Sequence, residues 1–328
     1  MALINGPVII ILVSLVIGRY PLSFSEVFTA LGFKLGLVQG EVPATHINVV
    51  WDIRLPRIIL ASMVGASLAA SGASFQGMFR NPLVSANILG VTSGAGFGAA
   101  LAIILFNGQL FYIYLFAFGF GLLAVVLSYF IGTTYKATPT VMLVLGGVVV
   151  SSIFSALISL LKYIADPFDQ LPSIVFWLMG SLASARFTDI MIAAVPMSVG
   201  VAGLLLMRWR LNVLSLGDVE AQALGLNVFF AKSLAIFFAT LATAGAVCVS
   251  GVIGWVGLVI PHIGRMLVGN NNEALIPVTI SLGAVYLVIV DNVARTLTGS
   301  EIPLGILTSL IGGPFFIYLI RRTKARGW

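Results

Sequence analysis

Charge is what this sequence has least of. Only 9% of its 328 residues are charged, while 59% are hydrophobic, and the mean hydropathy is +1.11. A soluble domain carries about 25% charged residues, so this chain could not cover a water-facing surface. Cysteine is nearly absent. Cys248 stands alone, which excludes an intramolecular disulfide and a thiolate metal cluster. Two histidines, His46 and His262, leave little for a metal centre. No Gly-Lys dipeptide occurs, so a Walker A phosphate loop is missing and this chain does not hydrolyse ATP through one. HExxH and GxSxG are missing as well, and with them the usual zinc-protease and serine-hydrolase constellations.

What the chain does have is long apolar runs. Continuous runs mean membrane-spanning helices, whereas barrel strands alternate over segments of about ten residues. A span needs about 20 apolar residues. Ten candidates meet this, roughly 2–18, 58–79, 87–106, 110–132, 141–161, 190–207, 229–250, 252–268, 275–295 and 304–320. The eighth is short and contains Pro261. The first lacks a positive n-region and a small-residue cleavage site, and reads as a retained span. The expectation is an all-α integral membrane protein, a single transmembrane domain over 1–328.

Ten spans put both termini on one side. The tail RRTKARGW marks that side as cytoplasmic by the positive-inside rule. Arg80, Lys136, Arg208, Arg210, Lys232 and Arg265 then also fall inside, against only Asp218, Glu220 and Glu273. The outer side is nearly balanced. The net charge of +6 is therefore the basic excess of inner loops and not a nucleic-acid footprint. The expected location is the cytoplasmic membrane, multi-pass. In the outer loop 19–57, Ser23 and Glu26 have capping-box spacing, which predicts a short surface helix.

Within the spans, small residues recur every fourth position. Ala61, Gly65, Ala69, Ala73 and Gly77 form one stripe, the pattern by which helices approach closely in lipid. Gly147, Ser151, Ser155 and Ser159 form a second, with hydroxyls. It reads equally as helix packing and as the wall of an uncharged polar passage. Asp291 and Arg295, four residues apart, can pair on one helix face. Charges deep within spans are absent, which argues against an ion-driven secondary transporter. His262 has no carboxylate near it in sequence and reads as structural. The polar stretch LSLGDVEAQALGLN, 214–227, lies between spans six and seven and so in the cytoplasm. Ser215 or Asp218 can cap a short helix there, and Gly225 can end it.

Several segments resemble one family. RLPR at 54–57, GASLAASGASFQGMFRNPLVSANILGVTSGAGFG at 65–98, FWLMGSL at 176–182, LSLGDVEAQALGL at 214–226, GVIGWVGLVIPHIGRMLVG at 251–269, DNVAR at 291–295 and EIPLGILTSLIGGPFF at 301–316 are similar to FecCD-type permeases. These are the membrane subunits of type II ABC importers for iron-siderophore, haem or cobalamin. The matches run in order over nearly the whole chain.

The resemblance implies ten spans per subunit, a second permease copy, two cytoplasmic ABC ATPase subunits and an extracytoplasmic substrate-binding protein. It implies that the chain is a transport subunit and not an enzyme. ATP and Mg would sit in the partner subunits, with no cofactor on this chain. Segment 208–228 would couple to the ATPase through Leu216, Gly217, Asp218, Ala221, Leu224 and Gly225, with Gln222 where a basic residue is expected. Arg54, Arg57 and Arg295 would dock the binding protein. Thr138, Pro139 and Thr140 would form an inner gate, with Asn81 and Leu83 nearby. The same resemblance tips Gly147, Ser151, Ser155 and Ser159 towards pathway lining. The implied cargo is an iron chelate or cobalamin. An oxyanion such as molybdate and an ATP-independent secondary transporter are the alternatives.

Overall fold

The computed structural model describes residues 2–133 and 140–324. Besides a 3-10 turn at Ala86–Leu89, thirteen helices occur among them: α1 (Ala2–Val16), α2 (Phe24–Lys34), α3 (Ala44–Phe79), α4 (Val91–Leu105), α5 (Leu110–Gly132), α6 (Thr140–Ile164), α7 (Gln170–Met179), α8 (Phe187–Leu216), α9 (Asp218–Ala223), α10 (Val228–Ser250), α11 (Val256–Val268), α12 (Asn272–Thr296) and α13 (Leu304–Lys324). Six of these, α3, α5, α6, α8, α10 and α12, are long and apolar enough to cross a membrane by length and composition. The other four expected spans are represented by the shorter apolar helices α1, α4, α11 and α13.

The helix α3 is the hub. It packs against α1, α8, α10, α11 and α12. In its most apolar window 78% of residues are buried, against 33% for α5, α6 and α8, so α3 is interior and those three are peripheral. The small-residue stripe explains this position. Ala61, Ala69 and Ala73 are fully buried, and a methyl group at Gly65 would collide with the Gly283 carbonyl of α12. Gly72 meets the Gly257 backbone of α11 in the same way. Backbones that touch need residues without side chains, and in lipid such contact supplies the packing that hydrophobicity cannot. The packing reading of this stripe holds.

Before Leu55, α3 widens into a π-helical stretch, Asn48–Arg54. Pro56 follows at the second position of the regular helix. Proline has no N–H to donate and crowds the preceding turn, and a π-type turn is one way to absorb that fault. On the surface, α2 begins as expected. The Ser23 hydroxyl accepts the Glu26 N–H, and the Glu26 carboxylate accepts the Ser23 N–H at 2.7 Å.

Two regions depart from the expected spans. Residues 170–179 form the ten-residue helix α7, too short for a rule that looks for about 20 apolar residues. The eighth span also starts late. Residues 251–254 are not helical, Trp255 takes φ +67°, and α11 runs only from Val256. This irregular backbone is covered by protein. Gly251 N–H donates to the Val247 carbonyl at 2.9 Å, the Gly254 carbonyl accepts the Val256 N–H at 2.8 Å, and just before the stretch the Ser250 carbonyl accepts the Ser181 N–H at 2.8 Å. Irregular backbone is tolerated at membrane depth only when it is satisfied in this way.

Candidate coupling and transport site

The segment 214–227 folds as a six-residue helix, α9, on a glycine at each end. Gly217 precedes it at φ +133° and Gly225 follows at φ +81°. At the far end Leu226 N–H donates to the Ala221 carbonyl at 3.0 Å, and Gly225 N–H donates to the Gln222 carbonyl at 2.9 Å. This is a Schellman closure, with the left-handed position taken by Gly225 as expected. The start differs. Neither Ser215 nor Asp218 caps the helix. The Ser215 hydroxyl instead donates to the Asn212 carbonyl at 2.6 Å.

Asp218 is engaged elsewhere. Its carboxylate accepts from the Lys232 ammonium at 2.6 Å. The Lys232 side chain is 1% exposed, and it also lies 3.5 Å from the Thr140 hydroxyl at the start of α6. One buried cation on α10 thus touches the first residue of α9 and the first residue of α6. The remaining expected coupling residues divide by burial. Ala221 and Gly217 face inward. Leu216, Val219 and Leu224 are exposed, and together they give α9 an apolar outer surface. Val219 and Lys232 were absent from the sequence-based selection. A lysine near the start of an apolar span reads as a loop anchor until its partner is seen.

The serine ladder of α6 has two roles. Gly147 lies against the Ile88 carbonyl, where a methyl group would collide, so the first rung is packing. Ser151 is half-buried, and Ser155 and Ser159 are exposed. Ser151 and Ser155 line an open groove of about 470 Å³ with Leu83, Ser85, Asn87 and Ile88. The facing wall is built by the turn after α3. Arg80 takes a left-handed backbone at φ +51°, and the Asn81 side chain accepts the Leu83 N–H at 2.9 Å. A second groove of about 530 Å³ brings Asn81 beside Thr140. The structure therefore joins Asn81, Leu83, Thr140, Ser151 and Ser155 along one side of α6. Thr138 and Pro139 lie outside the described residues.

At the opposite end of the bundle, the three arginines expected to dock a partner are buried, with Arg54 at 3%, Arg57 at 4% and Arg295 at 6% exposure. Arg57 forks onto Asp291, with nitrogen–oxygen distances of 2.8 to 3.0 Å, and its third nitrogen reaches Glu301 at 2.8 Å. Arg54 donates to the Leu15 carbonyl at 2.7 Å and the Val16 carbonyl at 3.1 Å. Arg295 donates to the Ser14 carbonyl at 2.8 Å and to the Asn292 side chain. This corrects one expectation. Asp291 pairs with Arg57 of α3 and not with Arg295 on its own helix. The arginines serve this chain's own α1, α3 and α12, since a buried charge must be paired or solvated by fixed dipoles.

The stretch NNNE, residues 270–273 between α11 and α12, is tied down as well. Asn271 caps α12, its side chain accepting the Glu273 N–H at 2.9 Å, and it also accepts from the Asn212 side chain at 2.7 Å. Asn272 N–H donates back to Asn212 at 2.6 Å. The end of α8, just before α9, is thereby clamped to the start of α12.

A bundle of this kind, with a short glycine-bounded helix projecting from one end, has known counterparts. The model of the FecCD transport family matches residues 7–322.

The chain belongs to the FecCD transport family.

FecCD relatives cover it almost end to end. It is 46% identical over 322 residues, 98% of this chain and 94% of the relative, to the molybdate import system permease protein MolB of Haemophilus influenzae. It is 40% identical over 318 residues, 97% of this chain and 96% of the relative, to a probable iron chelatin transport system permease protein of Helicobacter pylori. A solved ABC transporter assigned to the metal-chelate type, in an inward-facing conformation, matches with a TM-score of 0.87 and 43% identity over 98% of both chains. The protein is accordingly a multi-pass membrane permease, all-helical, of the ABC transporter class.

Proposed function

We propose that two copies of this chain form the membrane pathway of an ATP-driven importer. Two ATPases dock on α9, and a soluble binding protein delivers cargo at the Arg57 end. In this reading the α9 end faces the cytoplasm, as do both termini. The observation that carries it is the Asp218–Lys232–Thr140 chain of contacts, with 2.6 Å and 3.5 Å steps. It links the projecting helix α9 to the first residue of the groove-lining helix α6. A push on α9 is thus delivered to α6 through the Asp218–Lys232 ion pair and the lysine's contact with the Thr140 hydroxyl.

The groove supports uncharged, non-selective lining. Ser151 and Ser155 offer hydroxyls, and Leu83, Ile88 and Val148 offer apolar surface. Such a wall lets a bulky polar cargo pass without holding it, and leaves selectivity to the binding protein. The 46% identity to a molybdate permease favours an oxyanion cargo. The second reading is an iron chelate, carried by the 40% identical relative.

The test is reconstitution into liposomes with the ATPase and binding protein encoded alongside. The expected result is ATP-dependent uptake of molybdate or of a ferric chelate, measured by metal analysis of the liposomes. Uptake by this chain alone, driven by an ion gradient, would overturn the proposal in favour of secondary transport.

A further inference from the structure

A polar pocket of about 530 Å³ opens at the α9 end of the bundle, beside the serine groove but walled by different helices. Its walls come from the end of α3, the end of α11 and the start of α12. Two guanidinium groups, Arg80 and Arg265, face it together with His262. No aspartate or glutamate is among the lining residues, and neither arginine forms an ion pair among the described residues. This contrasts with Arg57 at the other end, which two carboxylates of the same chain satisfy.

Arg265 is held in place. The Gln76 side-chain oxygen accepts from it, and the Gln76 amide nitrogen donates to the Gly257 carbonyl at 3.1 Å. Gln76 is only 3% exposed, so it fixes the guanidinium at the pocket wall. A guanidinium has five donors in a rigid fork, and one amide oxygen does not satisfy them. The ends of α3 and α11 supply carbonyl dipoles that favour a cation, but they carry no full negative charge.

The pocket is continuous with α9. Ser215 lines it, and the Arg80 guanidinium lies beside Gly217, the residue before α9, where the Glu220 carboxylate of α9 also comes close, so Arg265 is the guanidinium with no carboxylate at hand. A protein seated on the exposed Leu216, Val219 and Leu224 would have its edge over the pocket. We propose that the pocket receives an acidic side chain of the ATPase partner, whose carboxylate forks onto Arg265 with Arg80 at its rim. This rests on the proposed function. It adds a second, electrostatic anchor to the apolar one on α9, and so fixes the rotation of the partner as well as its position. Bidentate arginine–carboxylate pairs supply that geometric constraint.

The experiment measures association of the full chain, in nanodiscs, with its ATPase subunit over a range of sodium chloride concentrations. Arg265→Gln is expected to weaken association about tenfold and to flatten its salt dependence, with Arg265→Lys recovering part of the loss. Arg80→Gln, at an exposed residue that lies close to Glu220, is expected to weaken it about threefold. If Arg265→Gln fails to fold, Arg80→Gln decides. Unchanged affinity and unchanged salt dependence in the folded variants overturn the proposal. A small-anion site also overturns it, and would show as stabilisation of the permease alone by inorganic phosphate or molybdate, lost in Arg265→Gln, with ATPase association unaffected. Leu224→Asp serves as the control on the underlying reading. If it abolishes association while the arginine variants do nothing, only the pocket proposal fails. If Leu224→Asp also does nothing, the docking of an ATPase on α9 fails with it.

Discussion

The Lys232 ammonium lies 2.6 Å from the Asp218 carboxylate, with the lysine side chain 1% exposed and the aspartate 41% exposed. The two ends of this ion pair are therefore unequal. Removing Asp218 takes away the carboxylate that a buried cation contacts at 2.6 Å. Removing Lys232 leaves a carboxylate that water already reaches. Removing the partner of the buried member of a pair is the costlier direction. Asp218→Ala is expected to destabilise the chain by about 3 kcal/mol, and Lys232→Met by about 1 kcal/mol. Denaturation in detergent, followed by tryptophan fluorescence, measures both. The reverse order would show that the pair is not the anchor of α9.

The same pair tests force transmission. Lys232→Gln is expected to keep ATPase association within about twofold, because the apolar surface of α9 is untouched, while lowering cargo imported per ATP hydrolysed. The ratio of uptake to phosphate release is the readout. An unchanged ratio would assign Lys232 to stability alone.

Arg57 and Asp291 make the corresponding statement at the other end. Asp291 is 1% exposed and receives both nitrogens of the fork, while Glu301 is 29% exposed. Asp291→Ala is expected to cost about 3 to 5 kcal/mol, and Glu301→Gln about 1 kcal/mol. Charge reversal at Arg57 should consequently lower the yield of folded protein before any effect on partner binding can be read. Size-exclusion profiles of the Arg57→Glu variant check this, and a monodisperse, fully stable variant would restore the arginine to the surface.

Close backbone approach separates two kinds of glycine. Gly65→Ala places a methyl group against the Gly283 carbonyl, whereas Gly119 has nothing within 4 Å of an added Cβ. Overpacking costs about 1 to 3 kcal/mol where neighbours cannot yield, and here the neighbour is helix backbone. Thermal unfolding in detergent is expected to show Gly65→Ala clearly destabilised. Gly119→Ala should be equal to the parent or slightly more stable, through helix propensity. Equal melting temperatures would place α3 and α12 further apart.

One pH effect lies outside the membrane. The Ser23 backbone N–H, and then its hydroxyl, hold the Glu26 carboxylate below its usual range. A lowered pKa means the carboxylate favours the folded helix start. That contribution is complete above the ordinary glutamate range and is lost as the pH falls through the lowered value. Amide exchange at Ser23, measured by mass spectrometry from pH 6 down to about pH 3, should lose its protection once the intrinsic exchange rate is corrected. Protection that stayed constant over this interval would remove Glu26 from the capping box.

Much of the membrane fold is written in one dimension. Runs of about 20 apolar residues mark spans, and ten helices stand at the ten places so marked. The capping box at Ser23 and Glu26 and the glycine stop at Gly225 are local patterns, and each appears where the spacing put it. The stripe through Gly65 announced close packing because only small residues permit it. The half-helix α7 escaped because ten residues fall below the length that a span rule can see, and the late start of α11 escaped because a non-helical, apolar stretch has the same hydropathy as a helix.

Partners are a different matter. Hydropathy and helical period place a residue on a face, and charge bookkeeping assigns it an end of the bundle. Neither says which residue stands opposite. Arg57 and Asp291 are 234 positions apart, so only the crossing of α3 and α12 makes them a pair, and the nearer choice of Asp291 with Arg295 was locally just as good. Lys232 with Asp218, Gln76 with Arg265, and the Asn212 clamp on the NNNE loop are of the same kind. The sequence by itself determined that this chain spans a membrane, lacks a Walker A loop and carries a short helix between α8 and α10. Only the tertiary structure decided which charges are consumed internally and which, like Arg265 at its pocket, form no ion pair among the described residues. The reason is physical: burial and pairing depend on distances between helices, which no single helix encodes.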